Sequence, residues 1–184
     1  IVHYSADGVE LERISPVGIE TGDRKLPAVY KRRRPNRGME GLTITPDEKT
    51  LVGIMQSTLY NPKKKAATNT VLTRIVTFDL KDAATKEYLY IQEKAWNANS
   101  EITALSDTEF LVVERDTKFS GKDKAQKHIY KITLDGATDV SGKFDSPDGK
   151  MINGKTLEQC TLEEIAAANI KPVKKELVAD LVAY

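Results

Sequence analysis

Two glutamates, Glu40 and Glu101, occupy matching places in two similar stretches of this 184-residue chain. Each is read as standing just before the first strand of a repeated unit, opening Glu40-Gly-Leu-Thr-Ile-Thr-Pro-Asp in one copy and Glu101-Ile-Thr-Ala-Leu-Ser-Asp in the other. Carboxylates placed in this way suit two kinds of chemistry. They can act as acid and base, or they can hold a hard cation such as Ca²⁺, which takes several oxygen ligands. Asn36, Asn99 and Asp116 supply further oxygens, so the candidate metal set is Glu40, Glu101, Asn99 and Asp116. A divalent cation held there would polarise an ester or phosphoryl oxygen and activate water. The alternative is that both glutamates accept backbone N–H bonds in turns.

Seven basic residues fall between Asp23 and Glu40 with no acid among them: Arg24, Lys25, Lys31 to Arg34, and Arg37. Such a loop draws in anions. Arg37, together with Arg115 in the Glu114-Arg-Asp116 string, is the candidate for holding the anionic part of a small substrate, since a guanidinium forks onto carboxylate or phosphate oxygens. Two other readings stand beside it: a solvated loop, and a clasp in which Arg115 pairs with Glu40 or Glu101. Tyr30 is the one aromatic in the loop, so base stacking has little support and nucleic acid is not an expected partner. Lys63 to Lys65, after Asn61-Pro62, read as a solvated loop tip.

Other chemistries find little support. The imidazoles are His3 and His128, both inside strand patterns, and there is no Gly-x-Ser-x-Gly elbow, phosphate loop or dinucleotide fingerprint. The single cysteine, Cys160, excludes an intrachain disulfide and reads as a small buried hydrophobe. With 28 basic and 27 acidic residues, no global field steers the chain to a polyanion. No apolar run is long enough for a spanning helix.

The elements that must position these residues are short strands with polar turns. Hairpin signals fall at Ala6-Asp-Gly8, Pro46 to Lys49, Lys81 to Thr85 and Ser106 to Glu109. Strands are expected at 1–5, 9–14, 43–45, 50–55, 71–80, 87–91, 101–105, 110–114, 129–134 and 175–182. Ser141–Gly154 reads as loop. Thr161–Asn169 reads as a short helix, because Thr161 and Glu164 have capping-box spacing and Pro172 follows. A repeat of about 60 residues aligns Glu40 with Glu101 and gives four strands to each copy, the pattern of a propeller blade. The fold class is therefore all-β, with about two and a half propeller-like four-stranded antiparallel blades and a short helical insertion near 156–170. Residues 1–15 end one blade, 38–92 form the next, and 99–182 form a third with an insertion at 136–172. Both ends run into strand patterning, so the chain reads as a section of a longer propeller whose remainder lies in the same or another chain. A self-contained antiparallel sandwich with an added helix is the alternative.

Four strings resemble the phytase-like family, described as having esterase-like activity of phytase. They are Asn36–Asp47 (NRGMEGLTITPD) leading to Leu51–Ser57; Asn99–Ile102 leading to Phe110–Asp116 (FLVVERD); His128–Leu134 with Gly136–Val140; and Pro172–Leu177. The resemblance covers most of the chain in the family's order. It implies a propeller-like all-β domain, commonly exported to the periplasm or secreted, with hydrolytic activity on ester or phosphoester bonds. A non-catalytic propeller that binds a ligand or protein across its channel face is the alternative.

Overall fold

A computed structural model describes residues 1–19, 22–119 and 121–183. A short hairpin, β1 (Val2–Tyr4) and β2 (Glu10–Arg13), opens the chain. Two-residue strands β3 (Ser15–Pro16) and β4 (Lys25–Leu26) pair in parallel, and a 3-10 turn follows at Ala28–Arg32. Then come two four-stranded antiparallel sheets. The first is β5 (Met39–Ile44), β6 (Thr50–Met55), β7 (Leu72–Asp79) and β8 (Thr85–Ile91), in sequential order. The second begins with β9 (Ala98–Ala104), β10 (Glu109–Arg115) and β11 (Lys127–Thr133). It is completed by β14 (Lys174–Asp180), after an insertion holding the ribbon β12 (Met151–Ile152) and β13 (Lys155–Thr156) and the helix α1 (Leu162–Ala167).

The all-β expectation and the order of strands within each sheet hold. Among the described residues the sheets do not close into a ring. The helix is one turn shorter than its pattern suggested, and Thr161 caps it: its hydroxyl accepts from the Glu164 amide, and Glu164 returns a bond to the Thr161 amide.

Burial follows the strand period of two. In β10, Phe110, Val112 and Glu114 are buried, and the residues between them are half-exposed. The main core lies between the sheets, where Val52, Ile54 and Ile75 of the first meet Ile102, Phe110 and Val112 of the second. A second cluster seats Ile14, Leu26, Val29 and Tyr30 on Met55, Val76 and Phe78, so the 26–30 segment covers the far face of the first sheet. A third places Val140, Leu157, Cys160, Ile165 and Ile170 over Leu72 and Leu89, which seats the insertion on the same sheet. Cys160 is a buried free thiol there, as its helix-face position predicted.

The first strands of the two sheets, β5 and β9, lie side by side and run in the same direction: the Ala104 amide donates to Thr43 Oγ1, and the Asp47 amide to Asp107 Oδ1. Both sheets therefore share their ends. One end carries the 31–37 segment and the loops 57–71, 92–97 and 116–126; the other carries the tight turns.

Candidate functional site

The site is built where the 31–37 segment enters β5. Arg34-Pro35-Asn36-Arg37 forms a tight turn closed by the Arg37 amide on the Arg34 carbonyl (3.1 Å), with Asn36 at φ 54°. Proline second and a left-handed asparagine third is a type II turn pattern. Asn36 thus supplies the left-handed backbone that the turn needs. The turn sets Arg34 and Arg37 at its two ends.

Arg37 is half-buried, and its Nη1 is buried without a hydrogen-bond partner. Burial, with the neighbouring charges of Arg34 and Arg115, holds its pKa below the usual guanidinium value. Arg115 comes from the end of β10 and donates to Ser100 Oγ (2.9 Å) and to the Asp116 carbonyl (3.3 Å). Arg34 lies over two rings, Tyr60 at 5.1 Å and Trp96 at 4.9 Å. Beside it is a pocket of about 180 Å³ lined by Thr58, Tyr60, Lys64, Lys65 and Trp96. Among the described residues no carboxylate forms an ion pair with Arg34, Arg37 or Arg115. Three guanidinium groups thus neighbour one another with no ion-paired carboxylate among the described residues.

Two other members of the basic run, Arg24 and Arg32, are tied down by partners. Arg24 pairs with Glu12 through Nε (2.6 Å), donates to the Leu80 carbonyl and covers the Phe78 ring. Arg32 lies 3.8 Å from Asp148 in the insertion. A cleft of about 820 Å³ lies between the first hairpin and the first sheet, against Ile14, Leu26, Tyr30 and Met39. Its lining mixes apolar side chains with the charged groups Arg13, Lys31 and Arg33.

The four expected metal ligands do not form one set. Asn99 is fully buried: its amide donates to the Met55 carbonyl and Thr73 Oγ1 (both 3.1 Å) and accepts from Gln92 (3.2 Å). Asp116 pairs with Lys127 at 2.5 Å. Glu101 accepts from the Ile102 amide, next to it in sequence, at 2.9 Å. Among the described residues no group of three or more His, Cys, Asp and Glu is positioned for a metal ion. Glu40 and Glu101 are both exposed, inside β5 and β9 rather than ahead of them, and Arg115 bridges neither.

The sheet register explains the separation. Each first strand has a bulge, at Glu40 in β5 and at Ser100 in β9. Matching bulge to bulge aligns Glu40 with Ser100, and Gly41 with Glu101. The two glutamates are therefore one position out of structural equivalence. Asn99 instead belongs to a buried floor beneath the arginines. In that floor Glu114 accepts from Tyr90 Oη (2.6 Å), Asn97 (2.6 Å), the Glu93 amide (2.7 Å) and Lys175 (2.7 Å). Burial and the Glu114 carboxylate hold Tyr90 far above the usual phenol range.

Trp96 and Tyr60 were missed, because the aromatic partners of Arg34 come from other loops than its own. A signal was available: Trp96 is the single tryptophan in the chain, set in a polar connection. It also takes φ 71°, which a bulky side chain rarely adopts. A second unforeseen feature is the buried ionic triad of Arg74, Glu87 and Glu158, at 2.8 and 2.7 Å.

Two successive four-stranded antiparallel sheets beside a basic mouth define an all-β domain, and among the described residues the sheets do not close into a ring. A family model described as phytase-like, esterase-like activity of phytase, matches residues 1–184, and the chain belongs to that family. No curated protein and no solved structure matches it.

Proposed function

We propose that the chain binds a small anionic ligand, a phosphoester or a carboxylate, at the mouth formed by Arg34, Arg37 and Arg115. The observation that carries this reading is the buried, unpartnered Nη1 of Arg37 between two other unpaired guanidinium groups. Buried donors ordinarily have an acceptor, and an uncompensated cationic cluster is relieved by an anion. Titration calorimetry with phenyl phosphate and benzoate tests it. Saturable binding to the wild type, lost when Arg37 and Arg115 are both changed to methionine, is the expected outcome; equal heats in both proteins would end the proposal.

A hydrolytic reading of the same mouth rests on Glu40 and Glu101, the two exposed carboxylates on adjacent strands whose backbones touch. Asn99 and Asp116 drop out of it, since their oxygens are already engaged. A divalent cation such as Ca²⁺ would then rely on Glu40 and Glu101 and on oxygens of water and ligand. Turnover of aryl phosphates and aryl esters, with and without added Ca²⁺, separates hydrolysis from binding alone. Loss of turnover in Glu40→Gln and Glu101→Gln with ligand binding intact supports the hydrolase; binding without turnover supports the non-catalytic propeller.

Two further expectations belong to this proposal. Leu42 and Ile44 of β5 are 41 and 43 % exposed, which supports cover by further blades from the same or another chain. An extracytoplasmic location rests on what is common in the family, and cell fractionation tests it.

A further inference from the structure

We propose that the end of the molecule carrying the basic loops docks onto an anionic lipid bilayer. The charges are segregated along the strand direction. At one end, segments 31–37, 57–71, 92–97 and 116–127 carry thirteen lysines and arginines against three acids, Glu93, Asp116 and Asp123, and Asp148 pairs there with Arg32. At the other, the turns 45–49, 79–84, 105–109 and 134–139 carry eight acids against Lys49 and Lys81. The net charge of +1 conceals this polarity. Such a molecule orients in the field of a negative surface, basic end inward.

An apolar anchor stands at the same end. Phe119, between β10 and β11, is 82 % exposed, the most exposed large hydrophobic side chain among the described residues. Lys118, Lys122 and Lys124 around it are exposed. The loop base is fixed: Asp116 pairs with Lys127 and accepts from the Lys118 amide, and Lys118 Nζ donates to the Asp123 carbonyl (2.8 Å). One large ring presented amid lysines above a hydrogen-bonded base suits insertion into the headgroup region, with the ammonium groups left among the phosphates. Trp96, 54 % exposed at the same end, is a second residue suited to that boundary. A nucleic acid fits less well. Among the described residues Phe119 has no ring contact with which to form a stacking platform, and Arg34 lies over the Trp96 ring.

Vesicle co-sedimentation tests the proposal, using phosphatidylcholine alone and phosphatidylcholine mixed with phosphatidylglycerol. The whole chain is expected to partition to the mixed vesicles only, and less so at high salt. Phe119→Ser should weaken that partition roughly tenfold, and each of Lys118→Gln, Lys122→Gln and Lys124→Gln roughly fivefold. Phe119, Lys122 and Lys124 are exposed, so thermal unfolding of their variants should not change, whereas Lys118→Gln also removes the bond to the Asp123 carbonyl. Heparin and single-stranded DNA are the comparison probes. Absence of partition, partition unaffected by Phe119→Ser, or tighter binding to single-stranded DNA than to the mixed vesicles would each overturn the proposal.

Discussion

Gly41 of β5 lies directly against the backbone of Ile102 in β9: a Cβ on Gly41 would come within 2.5 Å of the Ile102 nitrogen and 2.7 Å of the Glu101 carbonyl carbon. Both obstacles are backbone, so neither can rotate away. This contact sets the spacing of the two first strands, and with it the distance between Arg37, just ahead of β5, and Arg115, paired beside β9. Gly41→Ala is expected to destabilise the fold by roughly 1–3 kcal/mol through overpacking. Urea unfolding measures the loss, and phenyl phosphate titration of the folded variant should show weaker binding. An unchanged midpoint would mean that β5 and β9 separate freely.

The buried triad joins the insertion to the first sheet, since Glu158 precedes α1 while Arg74 and Glu87 lie on β7 and β8. Burial raises the pKa of Glu87 even against Arg74, while the Arg74 guanidinium is held charged by both carboxylates. The folded state thus binds the Glu87 proton more tightly than the unfolded chain does. That contribution to stability is complete below the unfolded value near 4.5 and is lost as pH rises through the higher folded value. Glu87→Gln should flatten the pH dependence of stability just above that value. Arg74→Met leaves two carboxylates without their cation and should cost roughly 3–5 kcal/mol. Thermal unfolding of both variants across mildly acidic pH measures the difference.

Strand order was legible because alternation and turn chemistry are local: Thr50–Met55 and the turn at Pro46–Lys49 are set by their own residues. The capping box at Thr161 and Glu164 was legible for the same reason. The pairing of Glu40 with Glu101 was not, because a bulge shifts register by one residue without changing the hydrophobic pattern. Asn99 and Asp116 looked like free oxygen donors because their partners, Thr73, Gln92 and Lys127, are set by sheet pairing rather than by nearby sequence. Arg37 and Arg115 were chosen by charge alone; their closeness depends on β5 and β9 lying side by side. The 3-10 turn at Ala28–Arg32 was hidden in a run that reads as a solvated loop, although Tyr30 within it is buried.

Arg37 carries an unusual expectation for a charged side chain. Its burial and its two like-charged neighbours work against the folded state. Arg37→Met keeps an unbranched apolar stem and removes the repulsion. The variant is expected to unfold at the same temperature as the wild type or higher, by up to about 1 kcal/mol. Phenyl phosphate should stabilise the wild type, by about 2.7 kcal/mol at a hundredfold excess over its dissociation constant, and leave the variant unmoved. A large loss of stability in Arg37→Met would show instead that the guanidinium holds the turn together.

Trp96 supplies an optical readout of the same mouth, because the chain has one tryptophan and Arg34 lies 4.9 Å from its ring centre. A cation over the indole face perturbs its emission, and an anion that draws Arg34 away from the ring changes that perturbation. Titrating phenyl phosphate into the wild type should therefore shift or rescale the emission along the same saturation curve as the calorimetric heats. Arg34→Ala should remove most of the change even if binding through Arg37 and Arg115 persists. The Tyr60→Phe variant keeps the ring beneath Arg34 and should preserve the response. An emission change that survives Arg34→Ala at full size would place the ligand directly on the indole, in the pocket lined by Lys64 and Lys65, and would move the centre of the site from the arginine turn to that pocket.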